Sequence, residues 1–138
     1  MTPHPGEFQR LAKRRFTNRA EMEDAARAMA SSANLVIALK GNQTFVTDGS
    51  RDYRNSTGNP GMATAGAGDV LTGVITSLVG HGLPMFDAAA LGVHVHGVAG
   101  DFASESVGET SLIATDVVEN LAAAFKKHAH SGSEKIGF

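Results

Sequence analysis

Cysteine is absent from the 138 residues, so the chain can build neither a disulfide frame nor a thiolate metal site. No stretch approaches the roughly 18 apolar residues of a membrane span, and Met1-Thr2-Pro3-His4-Pro5 has neither the basic region nor the apolar core of a secretory signal. A dominant charge is also missing. With 12 basic and 14 acidic residues the net charge is −2, which gives no reason to expect nucleic acid or a membrane as partner. The cytoplasm is the default address that remains. What is present, 42% hydrophobic and 19% charged residues, is the composition of a compact chain of one domain with a working core.

Chemistry concentrates in Asn59-Pro60-Gly61-Met62-Ala63-Thr64-Ala65-Gly66-Ala67-Gly68-Asp69-Val70-Leu71-Thr72-Gly73, a glycine-punctuated loop running into a helix. Small residues let a backbone approach a ligand closely, and the amides that open a helix, with the positive end of its dipole behind them, form an anion site. Asp69 falls in the first helical turn, where a carboxylate can take a proton from a hydroxyl lying beside a phosphate held by those amides. The pairing suggests phosphoryl transfer. The same few residues also open many ordinary helices, with an aspartate that merely favours the dipole.

Two prolines flank His4, which is expected in an extended, displayed loop that cannot start a helix. Phe8, Leu11 and Ala12 share one short helical face ended by Lys13-Arg14-Arg15, and Asn18 with Glu21 is a capping pair for a helix along Met22, Ala25, Ala26, Met29, Ala30 and Ala33. Leu35-Val36-Ile37-Ala38-Leu39 lacks alternation, as expected of a strand covered on both faces in a parallel sheet. Beyond its carboxyl end, where open α/β sheets gather ligands, lies Lys40-Gly41-Asn42-Gln43-Thr44. Lys40 offers a point charge for phosphate, although a lysine in a hairpin turn often only faces solvent. Phe45-Val46-Thr47 and Tyr53-Arg54-Asn55 read as return strands around an Asp48-Gly49 turn, an antiparallel edge on an otherwise parallel sheet.

After Asp69 the pairs Val70/Leu71, Val74/Ile75 and Leu78/Val79 mark an amphipathic helix closed by Gly80 and Gly82, with Gly73 ascribed to tight packing. A second helix is expected from about Asp87 to Ser104. Its His94 and His96 are two apart, point to different sides and cannot chelate one metal ion. A last helix starts at Thr115-Asp116 with Val117, Val118, Leu121, Ala122 and Phe125 as its buried side, and residues 128–138 are expected as a flexible tail.

The glycine stretch resembles the signature loop of the ribokinase-like superfamily, and its Gly58-Asn59-Pro60-Gly61-Met62-Ala63-Thr64 opening resembles the ADP/ATP-dependent NAD(P)HX dehydratases. Thr2-Pro3-His4-Pro5-Gly6-Glu7-Phe8-Gln9-Arg10-Leu11 and Leu39-Lys40-Gly41 followed by Thr44 resemble two further blocks of that family, in order, and Val95 to Asp101 another, read mainly as packing against the glycine-loop helix, with the adenine pocket as a second role. The resemblance covers residues 2 to about 127 and implies an α/β, three-layer αβα sandwich with a mainly parallel sheet, present here as its C-terminal portion (1–127). It implies repair of hydrated NADH or NADPH: ADP or ATP phosphorylates the added hydroxyl, and loss of phosphate restores the double bond. Asp69 would be the base and touch substrate, His4 would lie on the substrate, and the amides of Gly66, Ala67 and Gly68 would form the anion hole. Lys40, Gly41, Asn42, Gln43, Thr44 and Gly68 would hold the nucleotide, and Mg2+ would come with its phosphates, with no protein ligand assigned. The family loop usually reads Gly-Gly-Thr-Gly-Asp; Ala65-Gly66-Ala67-Gly68-Asp69 loses a hydroxyl but no amide.

The family's N-terminal strands have no counterpart in the sequence, so an unpaired edge and an apolar flank are expected, covered by a homo-oligomer or a complementing chain. Two other readings stay open. One is a vitamin-alcohol kinase of the superfamily, which leaves the Thr2 to Glu7 block without a purpose; the other is an inactive fragment serving as a binding or assembly module.

Overall fold

The computed structural model describes residues 1–132. In chain order these form α1 (Pro5–Ala12), α2 (Arg19–Ala33), β1 (Ile37–Leu39), β2 (Phe45–Thr47), β3 (Asp52–Arg54), a 3-10 turn (Pro60–Met62), α3 (Ala67–Gly80), α4 (Met85–Val107) and α5 (Ala114–Gly132).

The sheet orders β1-β2-β3 with antiparallel pairing, Ala38 opposite Val46 and Val46 opposite Tyr53. The return strands expected from sequence are therefore present, the second beginning one residue earlier. The parallel part lies on the other side of β1. The Met1 ammonium donates to the Val36 carbonyl at 2.7 Å, while the amides of Ala38 and Lys40 donate to the carbonyls of Met1 and Pro3 at 2.8 Å each. One residue bonded to both neighbours of its opposite number is the parallel ladder pattern. Among the described residues the sheet is thus mainly antiparallel rather than mainly parallel, with residues 1–3 as its parallel edge.

Both faces of β1 are covered, as its continuous apolar run requires. Ile37, Leu39 and Phe45 pack against Phe8 of α1 and Met22, Ala26 and Ala30 of α2. Ala38 and Val46 face the opposite way, toward Leu71 of α3 and Ala89 and Val93 of α4. A further cluster of Val95, Val98, Ala99, Leu112, Val117 and Ala124 joins α4 to α5. The result is a three-layer αβα sandwich.

Local rules explain the helix ends. Asn18 caps α2 by accepting the Glu21 amide at 2.9 Å, as its spacing implied. At α1 the expectation fails: Pro5 does start a helix, because proline is suited to the first position, where no amide bond is needed. Gly73 also differs from its reading, since a Cβ there meets nothing within 4 Å. In α5 the buried side runs through Val117 and Ala124, leaving Val118 and Ala122 exposed, and the helix extends through His128 to Gly132, into the segment read as a tail. Residues 133–138 of that expected tail lie outside the described residues.

Candidate active site

The glycine loop is held from behind by α4. The Asn59 Oδ1 accepts the Gly61 amide at 3.1 Å, its Nδ2 donates to the Gly100 carbonyl at 2.9 Å and to the Asp101 carboxylate at 3.1 Å, and Gly58 N donates to the same carboxylate at 3.0 Å. So fixed, the chain enters α3 through Gly66, whose φ of +86° is a left-handed conformation that suits glycine. Gly66 O accepts the amides of Asp69 and Val70, both at 3.0 Å, and Ala67 N reaches Thr64 O at 3.4 Å. The amides of Gly66 and Gly68 meet no acceptor among the described residues. They are free donors at the positive end of a fourteen-residue helix.

Lys40 is brought to these donors by the end of β1. The Arg19 guanidinium donates to the carbonyls of Leu39 at 2.9 Å and Lys40 at 3.1 Å, and is itself held by Glu23 at 2.9 Å. Glu23, nearly buried, also takes two bonds from Arg54 at 2.8 and 2.6 Å, and these hold its carboxyl below the usual range. The Lys40 ammonium then lies over the loop: a Cβ on Gly68 would come within 2.9 Å of its Nζ. Only a residue without a side chain leaves this space for an anion gripped from both sides.

His4 is the N-cap of α1. Its Nδ1 accepts the amides of Gly6 at 3.0 Å and Glu7 at 3.2 Å, so the proton of the neutral ring is on Nε2. The Glu7 carboxylate in turn accepts the His4 amide at 2.6 Å, which lowers its pKa, and lies 3.7 Å from His4 Nε2 and 3.9 Å from Lys40 Nζ. The capping box thus ties the histidine loop to the lysine turn.

These segments line one cavity of about 770 Å³, a volume suited to a nucleotide-sized ligand. His4, Lys40, Gly41, Asn42, Gln43, Thr44, Ala67 and Gly68 are all on its wall. Gly66 and Asp69 are not; both are exposed, Asp69 adjoining Gly68 in the chain and Gly66 adjoining Ala67. The Asp69 carboxylate makes no hydrogen bond or ion pair among the described residues. Asn55, Thr57 and His96 are also on the wall. Nothing local in the sequence marks the first two, whereas His96 falls in the Val95 to Asp101 segment, which reads from sequence mainly as packing against the glycine-loop helix and does not single it out as a site residue. His94 lies apart, its Nδ1 3.5 Å from the Tyr53 hydroxyl, and no group of three metal-ligating side chains occurs among the described residues.

Comparison with solved structures defines the fold class. An ADP/ATP-dependent NAD(P)H-hydrate dehydratase from Bacillus subtilis, co-crystallised with ATP/Mg2+, superposes with a TM-score of 0.83 and 30% identity over 91% of this chain and 46% of its own. A ribokinase-like superfamily protein from Enterococcus faecalis gives 0.77 and 30% over 91% and 43%. The fold is ribokinase-like. The family model of the NAD(P)H-hydrate dehydratases matches residues 1–123, and the chain belongs to that family. Its relatives include a bifunctional NAD(P)H-hydrate repair enzyme of Thermofilum pendens, 43% identical over 91% of this chain and 24% of the relative. An ADP-dependent (S)-NAD(P)H-hydrate dehydratase of Neisseria meningitidis is 41% identical over 78% and 37%. The chain therefore spans between about a quarter and a half of the length of these relatives.

Proposed function

We propose that this chain forms the nucleotide-gripping and base-bearing part of an ADP- or ATP-dependent dehydratase acting on hydrated NADH or NADPH. The observation that carries the reading is the meeting of three separate segments, the histidine loop, the lysine turn and the glycine loop, with Lys40 Nζ directly over Gly68. Lys40 and the free amides of Gly66 and Gly68 hold the phosphoryl charge. Asp69, exposed and unpaired beside Gly68 in the chain, takes the proton of the substrate hydroxyl, whose oxygen bonds to the terminal phosphorus as the bond to the nucleotide's bridging oxygen breaks. The C–O bond of the resulting phosphate ester then breaks, inorganic phosphate leaves, and loss of a proton from the adjacent ring carbon to solvent restores the ring double bond. His4 Nε2–H lies against the substrate. Magnesium would be carried by the nucleotide's own phosphates, since the cleft gathers no set of three protein ligands among the described residues. The cytoplasm is the compartment such a repair reaction implies.

The test is recovery of NADH absorbance from hydrated NADH with ADP or ATP, with Asp69→Asn as the comparison. Turnover that persists in that variant removes the base from the mechanism.

A partner belongs to the same reading. In the parallel ladder Thr2 N–H and C=O turn away from β1, and neither has a partner among the described residues. Beside them lies an apolar hollow walled in part by Met1, Ile75, Val79 and Met85, with Met1 and Met85 50% and 59% exposed. An edge strand beside an apolar flank is completed by another strand. A second copy or a complementing chain supplies it and closes the substrate side of the cleft.

A further inference from the structure

We infer that His96 is a positioning residue of the phosphoryl-transfer site, gripping the Ala67 carbonyl from behind the glycine loop and so fixing and polarising the peptide whose N–H belongs to Gly68. The inference rests on the function proposed above and adds a residue to it. His96 sits on α4, 8% exposed, at the wall of the cavity, with Nε2 3.0 Å from Ala67 O. A carbonyl can only accept, so Nε2 carries the hydrogen. Burial lowers the pKa of the ring and keeps it neutral.

The Ala67 carbonyl, in the first turn of α3, already receives the amide four residues ahead that every helix supplies, so a second donor is not needed to satisfy it. What a second donor does is electronic and geometric. The peptide is one conjugated unit, and drawing density onto its oxygen makes the N–H on its far side a stronger donor. That N–H is Gly68's, free of protein acceptors and beneath Lys40 Nζ. The next peptide is treated alike, since Thr72 Oγ1 donates to Gly68 O at 3.0 Å, but the Asp69 amide it polarises is already engaged by Gly66 O. Of the two, only the His96 contact strengthens a donor that remains available to a ligand. The bond also sets the pitch of the first turn against α4, and so the direction in which the Gly68 amide points.

Two variants separate this role from packing. His96→Phe keeps a ring and removes the donor; His96→Gln places an amide N–H at nearly the reach of Nε2. In the ligand-free protein the Gly68 amide proton resonance should move upfield in His96→Phe and return toward the wild-type position in His96→Gln, with thermal melting recorded for both. With ADP, kcat/KM for the nucleotide should fall roughly 3- to 10-fold in His96→Phe, the effect of one neutral hydrogen bond, and recover in His96→Gln. A Gly68 resonance unmoved in His96→Phe, or a His96→Gln protein as impaired as His96→Phe, overturns the inference. Should His96→Phe not fold, His96→Asn, too short to reach Ala67 O, takes its place with the same expectations. If the wild-type chain binds no ADP, the proposed function falls, while the Gly68 resonance still decides the role of His96.

Discussion

Asp69 is exposed and unpaired, and that freedom suits a base: no arginine or backbone donor competes for the lone pairs that must receive a substrate proton. Asp69→Asn should lower dehydration by about 100-fold or more while ADP affinity stays unchanged, because the side chain bears on the acceptor rather than the nucleotide; paired kinetics and calorimetry check both halves. Gly68→Ala should have the opposite pattern. Its methyl would stand 2.9 Å from Lys40 Nζ and fill the anion's place, so ADP affinity should drop by about 10-fold with little change in melting temperature. At this scale much was legible. A glycine run followed by an acid has an anion-site meaning before any coordinate is known. His4 was legible as displayed but not as a cap, because the two prolines that argued against a helix include one that opens it.

Among the elements, α2 does more than cover the sheet. Glu23 on its inner side gathers Arg19 and Arg54, and Arg19 reaches on to the carbonyls where β1 turns into Lys40. Glu23→Ala leaves both guanidinium groups without their buried carboxylate; because each arginine is partly exposed, the expected loss of stability is about 2–3 kcal/mol by denaturant unfolding. Asn18→Ala, which removes only the cap, should cost about 1 kcal/mol. None of the triad was visible in the one-dimensional pattern. Periodicity reports which side of a helix is apolar, and it missed both the single buried acid in α2 and the true inner side of α5, where Ala124 is buried and Val118 is not. The choice between such near-equal faces is made by the surface opposite, here the Val95, Val98 and Ala99 side of α4.

For the whole molecule, acid should unfold the protein in two stages. Burial lowers the pKa of His96 and His94, so the folded state resists their protonation and stability should begin to fall as pH drops below about 6.5. Glu23, held low chiefly by Arg54, adds a second loss below about pH 4.3, as its carboxylate becomes protonated more readily in the unfolded chain. Melting temperatures from pH 8 to 3 check the order. The open edge at Thr2 and the apolar hollow beside it should make the isolated chain self-associate, or take up a complementing chain; a monodisperse, cooperatively melting monomer in ultracentrifugation would contradict this. The sequence by itself determined most of the helices, the doubly covered strand and the three segments proposed to carry the chemistry, because periodicity, caps and glycine placement act over a few residues. Only the tertiary structure decided that Lys40 lies over Gly68, that His96 reaches Ala67 O, and that residues 1–3 pair in parallel with β1. Those contacts join residues far apart in the chain, and which of them form is chosen by packing across layers that no local pattern encodes.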